Sequence, residues 1–80
     1  MAWKKRSRLD IIADILSVAK EGSRPTRIMY QTNLSFRRQR AYLDDMVGMG
    51  LLEARTHSPV MYFTTEQGRE WLRNYEKIKL

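Results

Sequence analysis

A mainly α-helical domain with one small β-hairpin is the fold class this sequence predicts, and three observations predict it. The chain has 80 residues, enough for one domain and no more. Apolar residues recur at helical spacing from about 8 to 19, from 36 to 49 and from 66 to 78. Two short runs rich in strand formers flank His57-Ser58-Pro59, which reads as a hairpin.

The first helix starts at Arg8, because Ser7-Arg8-Leu9-Asp10 has the spacing of a capping box. Leu9, Ile12, Ile15, Leu16 and Ala19 form its apolar stripe, and Gly22 with Pro25 beyond it stops the helix. Ile11 and Val18 widen the stripe beyond what one small core needs. Thr26 is read as the cap of a short second helix over 27–32, with Tyr30 in the core and Gln31 or Thr32 within reach of phosphate. Asn33-Leu34 makes a tight turn, since Asn tolerates the left-handed conformation. Ser35 caps a third helix from Phe36 to about Met49, ended by Gly50. Phe36, Gln39, Leu43, Met46 and Val47 share one face, on which Phe36 is expected to pack. Arg37, Arg38, Ala41, Asp44 and Asp45 share the other, with Arg40 on the flank. The strands fall in 51–56 and 60–64, with Pro59 in the loop. Thr65, or alternatively Thr64 in a capping box with Gln67, caps a last helix that runs towards Leu80 with Gly68, Trp71, Leu72, Tyr75 and Ile78 on its apolar stripe. The chain therefore divides into a basic arm over 1–7, a core over 8–64 and a C-terminal helix over 65–80.

Helix, short helix, tight turn, longer helix, hairpin is the order of a winged helix-turn-helix. In that unit the helix after the turn enters the DNA major groove and reads base edges with its amino-terminal half. Charge agrees with this reading. Fifteen cations against nine acids give +6, and ten of the cations are Arg, whose planar fork matches phosphate and base edges. No Asp or Glu lies between Glu21 and Asp44, an interval that holds Arg24, Arg27, Arg37, Arg38 and Arg40. Lys4, Lys5 and Arg6 form a second basic cluster at the start, with Trp3 expected to fold back on the domain. Arg37 and Arg38 are candidates for bidentate bonds to guanine, and Ala41 for close approach and contact with a thymine methyl. Ser35, at a helix amino end, suits phosphate. Arg55 and His57 are the cations of the wing.

The sequence resembles the small archaeal winged-helix regulators and chromatin-associated proteins, found also in archaeal viruses and plasmids. Carrying the resemblance are Leu9-Asp10-Ile11-Ile12-Ala13-Asp14-Ile15-Leu16, Thr26-Arg27-Ile28-Met29-Tyr30, Asn33-Leu34-Ser35-Phe36, Gly50-Leu51-Leu52 and Tyr62-Phe63-Thr64-Thr65-Glu66-Gln67-Gly68. It implies a homodimer joined through the C-terminal helix, often as an antiparallel coiled coil.

A partner subunit also suits the composition. A chain of this size buries only about 60% of its unfolded surface, and it has no cysteine for disulfides. Ile11, Ile15, Val18, Trp71, Leu72, Tyr75 and Ile78 are the residues expected at the dimer interface. With no Cys and one His, neither a metal nor a cofactor is expected, and nothing points to catalysis. No export signal or membrane span is visible, so a cytoplasmic, nucleoid-associated location is the expectation. The leading functional reading is a homodimeric transcriptional regulator bound to double-stranded DNA. A non-specific architectural or chromatin protein, and a protein-interaction module on the same fold, are the alternatives.

Overall fold

The computed structural model describes residues 6–78. Along them run α1 (Arg8–Val18), α2 (Pro25–Thr32), α3 (Phe36–Gly48), β1 (Leu52–Arg55), β2 (Met61–Thr64) and α4 (Glu66–Ile78). The order is the expected one, and the caps explain most of the boundaries.

α1 opens with the full capping box: the Ser7 hydroxyl accepts from Asp10 N at 3.1 Å and the Asp10 carboxylate accepts from Ser7 N at 3.2 Å. Two of the four unpaired amides of the first turn are thereby satisfied. α2 starts two residues earlier than the sequence suggests. Its N-cap is Arg24, not Thr26, because Pro25 has φ preset for a helix and no amide to satisfy at the first position. Asn33 closes α2 in the left-handed region, φ 56 and ψ 43, as its side chain permits. Ser35 caps α3, its hydroxyl accepting from Arg38 N at 3.2 Å.

The two strands pair antiparallel with Leu52 opposite Thr64 and Arg55 opposite Met61. Ser23, in the connection between α1 and α2, adds an isolated bridge to Tyr62, with both amide–carbonyl bonds at 2.9 Å. That bridge ties the start of the helix-turn-helix to the hairpin and has no local sequence signal.

The core is built by α1 against α2 and α4, with α3 closing on β1. Ile12, Ile15, Leu16, Ala19, Ile28, Leu34, Leu43, Met46, Leu51, Leu52 and Leu72 fill it. Gly50, at φ 80, turns the chain from α3 into β1 in a conformation that costs an L side chain dearly. Carbonyls at the carboxyl end of α1 and in the turn after it take bonds from distant segments. Thr64 Oγ1 donates to Leu16 O at 2.8 Å, Thr64 N to Ala19 O at 3.0 Å and Arg69 Nη2 to Lys20 O at 3.0 Å. Thr65 caps α4, its Oγ1 accepting from Gly68 N at 3.0 Å and donating to Gly50 O at 2.6 Å. Gly68 sits where α4 crosses the chain: a Cβ there would overlap Leu51 O and lie 2.8 Å from Thr64 Cγ2.

Several expected core positions are corrected. Tyr30 and Phe36 stand in solvent, 84% and 67% exposed, and Leu9 and Val47 are exposed too. α2 is only eight residues long and buries Ile28 and Thr32, so Tyr30 falls outside the contact. Phe36 lies at the tip of α3, ahead of the body that covers Gln39, Leu43 and Met46.

Candidate nucleic-acid interface

The turn at Asn33 and the two helices it joins set the geometry of the site. Leu34, buried beneath it, anchors the turn, while Ser35 fixes where α3 begins. Arg37, Arg38, Arg40 and Ala41 are then all exposed along the first turn and a half of α3. The face beneath them is held by Gln39, Leu43 and Met46, so the helix can turn little about its axis.

The eight arginines over 6–55 divide into two sets; beyond them Arg73 pairs with Glu66 at 3.8 Å and Arg69 donates to Lys20 O. Arg6 pairs with Asp14 at 3.0 Å, Arg8 with Asp45 at 3.1 Å, Arg40 with Asp44 at 3.7 Å and Arg55 with Glu53 at 3.5 Å. Arg24, Arg27, Arg37 and Arg38 have no carboxylate within 4.0 Å among the described residues. All four lie in the acid-free interval, at the amino ends of α2 and α3. There the helix amides add their own partial positive charge. The result is a basic surface whose charge the protein itself does not neutralise.

Arg8 does more than pair. Its guanidinium lies 5.2 Å from the Tyr42 ring centroid as well as against Asp45, so it clamps the start of α1 to the flank of α3. On the wing, Arg55 lies 4.1 Å over the Phe63 ring while pairing with Glu53, which holds it on the strand. Lys4, Lys5 and Trp3 lie outside the described residues. Thr32 is buried and donates to Ile28 O at 2.6 Å, so the expectation that it reaches phosphate is corrected.

A second surface lies where α4 meets the start of α1. The Tyr75 hydroxyl donates to Asp10, whose other oxygen completes the α1 capping box, and this links α4 to the α1 amino end. The rings of Trp71 and Tyr75 stack with centroids 5.5 Å apart and planes 10° from parallel. With Leu9, Asn74 and Ile78 they line an apolar cleft of about 210 Å³. Of the residues expected at a dimer interface, Ile11, Ile15 and Leu72 are only 2%, 0% and 3% exposed. They are consumed by the chain's own core and have no surface left to offer. Val18, Trp71 and Tyr75 are partly covered, and Ile78 is open. Leu9, which the stripe on α1 assigns to the core, belongs to this open surface.

A family model described as winged helix-turn-helix matches residues 5–80. The chain belongs to the winged helix-turn-helix family. Its winged helix is similar in structure to Sso10a-2, a DNA-binding protein from Sulfolobus solfataricus. The TM-score is 0.83 at 28% identity, over 91% of this chain and 78% of that one. In sequence it is 40% identical over 50 residues to the uncharacterized protein MJ0287 of Methanocaldococcus jannaschii. That stretch is 61% of this winged helix and 52% of its relative, so the match spans about half of the relative's length. Among the described residues no helix is long and apolar enough to cross a membrane.

Proposed function

We propose that this winged helix binds double-stranded DNA as a homodimer, sets the amino-terminal half of α3 in the major groove, and acts there as a transcriptional regulator. The observation that carries the reading is the set of four exposed arginines, Arg24, Arg27, Arg37 and Arg38, that have no carboxylate partner among the described residues. Likeness to a DNA-binding winged helix of an archaeon supports it. Arg37 and Arg38 take the base edges, with Ala41 allowing close approach. Arg24, Arg27, Ser35, Arg6 and the preceding Lys4 and Lys5 take phosphates, which set register without reading sequence. Arg40, shared with Asp44, adds a flank contact, and Arg55 one from the wing.

The second copy covers the cleft between Leu9, Trp71, Tyr75 and Ile78, with Val18 at its margin. Two stacked aromatics left half-buried beside the exposed Leu9 and Ile78 are an apolar area that a partner subunit removes from solvent. A dimer of this kind presents two α3 helices to half-sites about 34–36 Å, or a multiple of that, apart. The role is one of binding rather than catalysis, and its place in the cell is the nucleoid.

Selection of bound duplexes from a random library, with sizing of the complex, tests the reading. A palindromic consensus and a dimer on DNA are expected. Equal affinity for selected and random duplex would replace regulation with coating, and no duplex binding at low salt would overturn the DNA reading itself.

A further inference from the structure

Phe36 is the first residue of α3 and is 67% exposed. It shares its helix face with Gln39, Leu43 and Met46, which are 2%, 1% and 0% exposed. One face of one helix thus passes from core to open water within a single turn. The first residue of α3 lies outside the contact that covers the rest of this face. Side chains on a helix lean towards its amino end, so a residue in the first position reaches ahead of the helix rather than beside it. Arg37 and Arg38 follow it in the same turn, both exposed and both without a carboxylate partner among the described residues. An apolar tip in the same turn as two unpaired cations is complementary to a surface that is anionic at its rims and apolar at a point on its floor. The major groove has that character only where a thymine lies, because the 5-methyl group is the one apolar feature of its base edges.

We infer that Phe36 is a specificity-determining residue that packs on a thymine 5-methyl group in the major groove, at the end of the half-site reached by the amino tip of α3. The inference rests on the DNA reading above and deepens it: the arginines select guanine, and Phe36 selects thymine beside it. The ring is exposed in the free protein because its partner is the methyl group of the DNA.

Replacing each thymine of a selected duplex by deoxyuridine, one at a time, removes the methyl group and leaves base pairing intact. Titrations of the wild-type protein, Phe36→Ala and, as a second exposed ring with no assigned contact, Tyr30→Ala against this series test the inference, with thermal melts to establish that each variant is folded. One thymine per half-site is expected at which deoxyuridine weakens wild-type binding about fourfold, the worth of one buried methyl group. Phe36→Ala should bind the thymine and deoxyuridine duplexes at that position equally, while Tyr30→Ala keeps the difference. A wild-type protein indifferent to every deoxyuridine, or a Phe36→Ala protein that keeps the same sensitivity, overturns the inference and leaves the DNA reading standing. Loss of affinity in Phe36→Ala without any methyl dependence also overturns it, since the ring would then be acting as a wedge between bases. Failure of the wild-type protein to bind any duplex removes both readings together.

Discussion

Arg37 and Arg38 differ from Arg40 in one respect that decides their use: Arg40 has Asp44 at 3.7 Å, and they have no such partner among the described residues. A guanidinium already paired must give up that pair to reach a base, whereas a free one need only shed water. Arg37→Ala or Arg38→Ala is therefore expected to cost about 1–3 kcal/mol at a selected site and to relax one base preference. Arg24→Ala or Arg27→Ala should instead weaken all duplexes alike and reduce the salt slope by about 0.9. Titration against single-base variants at several salt concentrations separates the two patterns, and equal loss for Arg37→Ala on selected and random DNA would remove it from base reading. Gly68 is a second residue where one atom decides. With the Leu51 carbonyl oxygen and Thr64 Cγ2 already in the space of a Cβ, Gly68→Ala forces α4 off the hairpin. A stability loss of about 1–3 kcal/mol is expected, seen as a lower urea midpoint with unchanged slope. The Thr-Glu-Gln-Gly run is visible in the sequence, but the reason its last residue lacks a side chain is the crossing of α4 over Leu51.

The helices were legible as elements because their caps are local. Ser7 with Asp10, Ser35 with the Arg38 amide and Thr65 with the Gly68 amide each act over three residues, so the spacing alone reveals them. α2 shows the limit of that logic: Thr26 has the chemistry of a cap, yet Pro25 starts the helix before it. The carboxyl end of α1 was legible only as a stop. Gly22 marks a stop, but the free carbonyls are satisfied from β2 and α4, 48 and 49 residues along the chain. Thr64→Val keeps the strand shape and removes the donor to the Leu16 carbonyl. A loss of about 1–3 kcal/mol is expected by chemical denaturation, the cost of leaving a buried acceptor unmet. Thr64→Ser, which retains the hydroxyl, should recover most of it.

At the scale of the whole molecule, the two working surfaces are joined by α1. Its start is tied to α3 through Arg8, Asp45 and Tyr42, and to α4 through Asp10 and Tyr75. A dimer built on Trp71, Tyr75 and Ile78 would thus hold the two α3 helices at a set separation. Trp71→Ala combined with Ile78→Ser is expected to convert a dimer to monomers in sedimentation at micromolar protein. The same variant should lose the preference for paired half-sites and still bind single ones weakly. A wild-type protein that sediments as a monomer, or an unchanged dimer in the double variant, would take the interface away from this stripe. The excess charge behaves as a property of the whole as well. Arg6, Arg8, Arg40, Arg55 and Arg73 are held in pairs, while among the described residues the unpaired arginines of the acid-free interval lie at the amino ends of α2 and α3.

Legible in the residues alone were the order of elements, the caps at Ser7 and Ser35, the cap of α4 as one of two threonines, the left-handed turn at Asn33 and the acid-free interval. Each depends on interactions within a few residues, or on composition alone. Only the tertiary structure decided which apolar residues are open and which cations are free. Ile11, Ile15 and Leu72 look like interface and are core; Leu9, Tyr30 and Phe36 look like core and are surface. Helical periodicity gives the direction in which a side chain points, but burial depends on whether another segment lies there. Little covers Phe36, the first residue of α3, and among the described residues no carboxylate lies within 4.0 Å of Arg37 or Arg38.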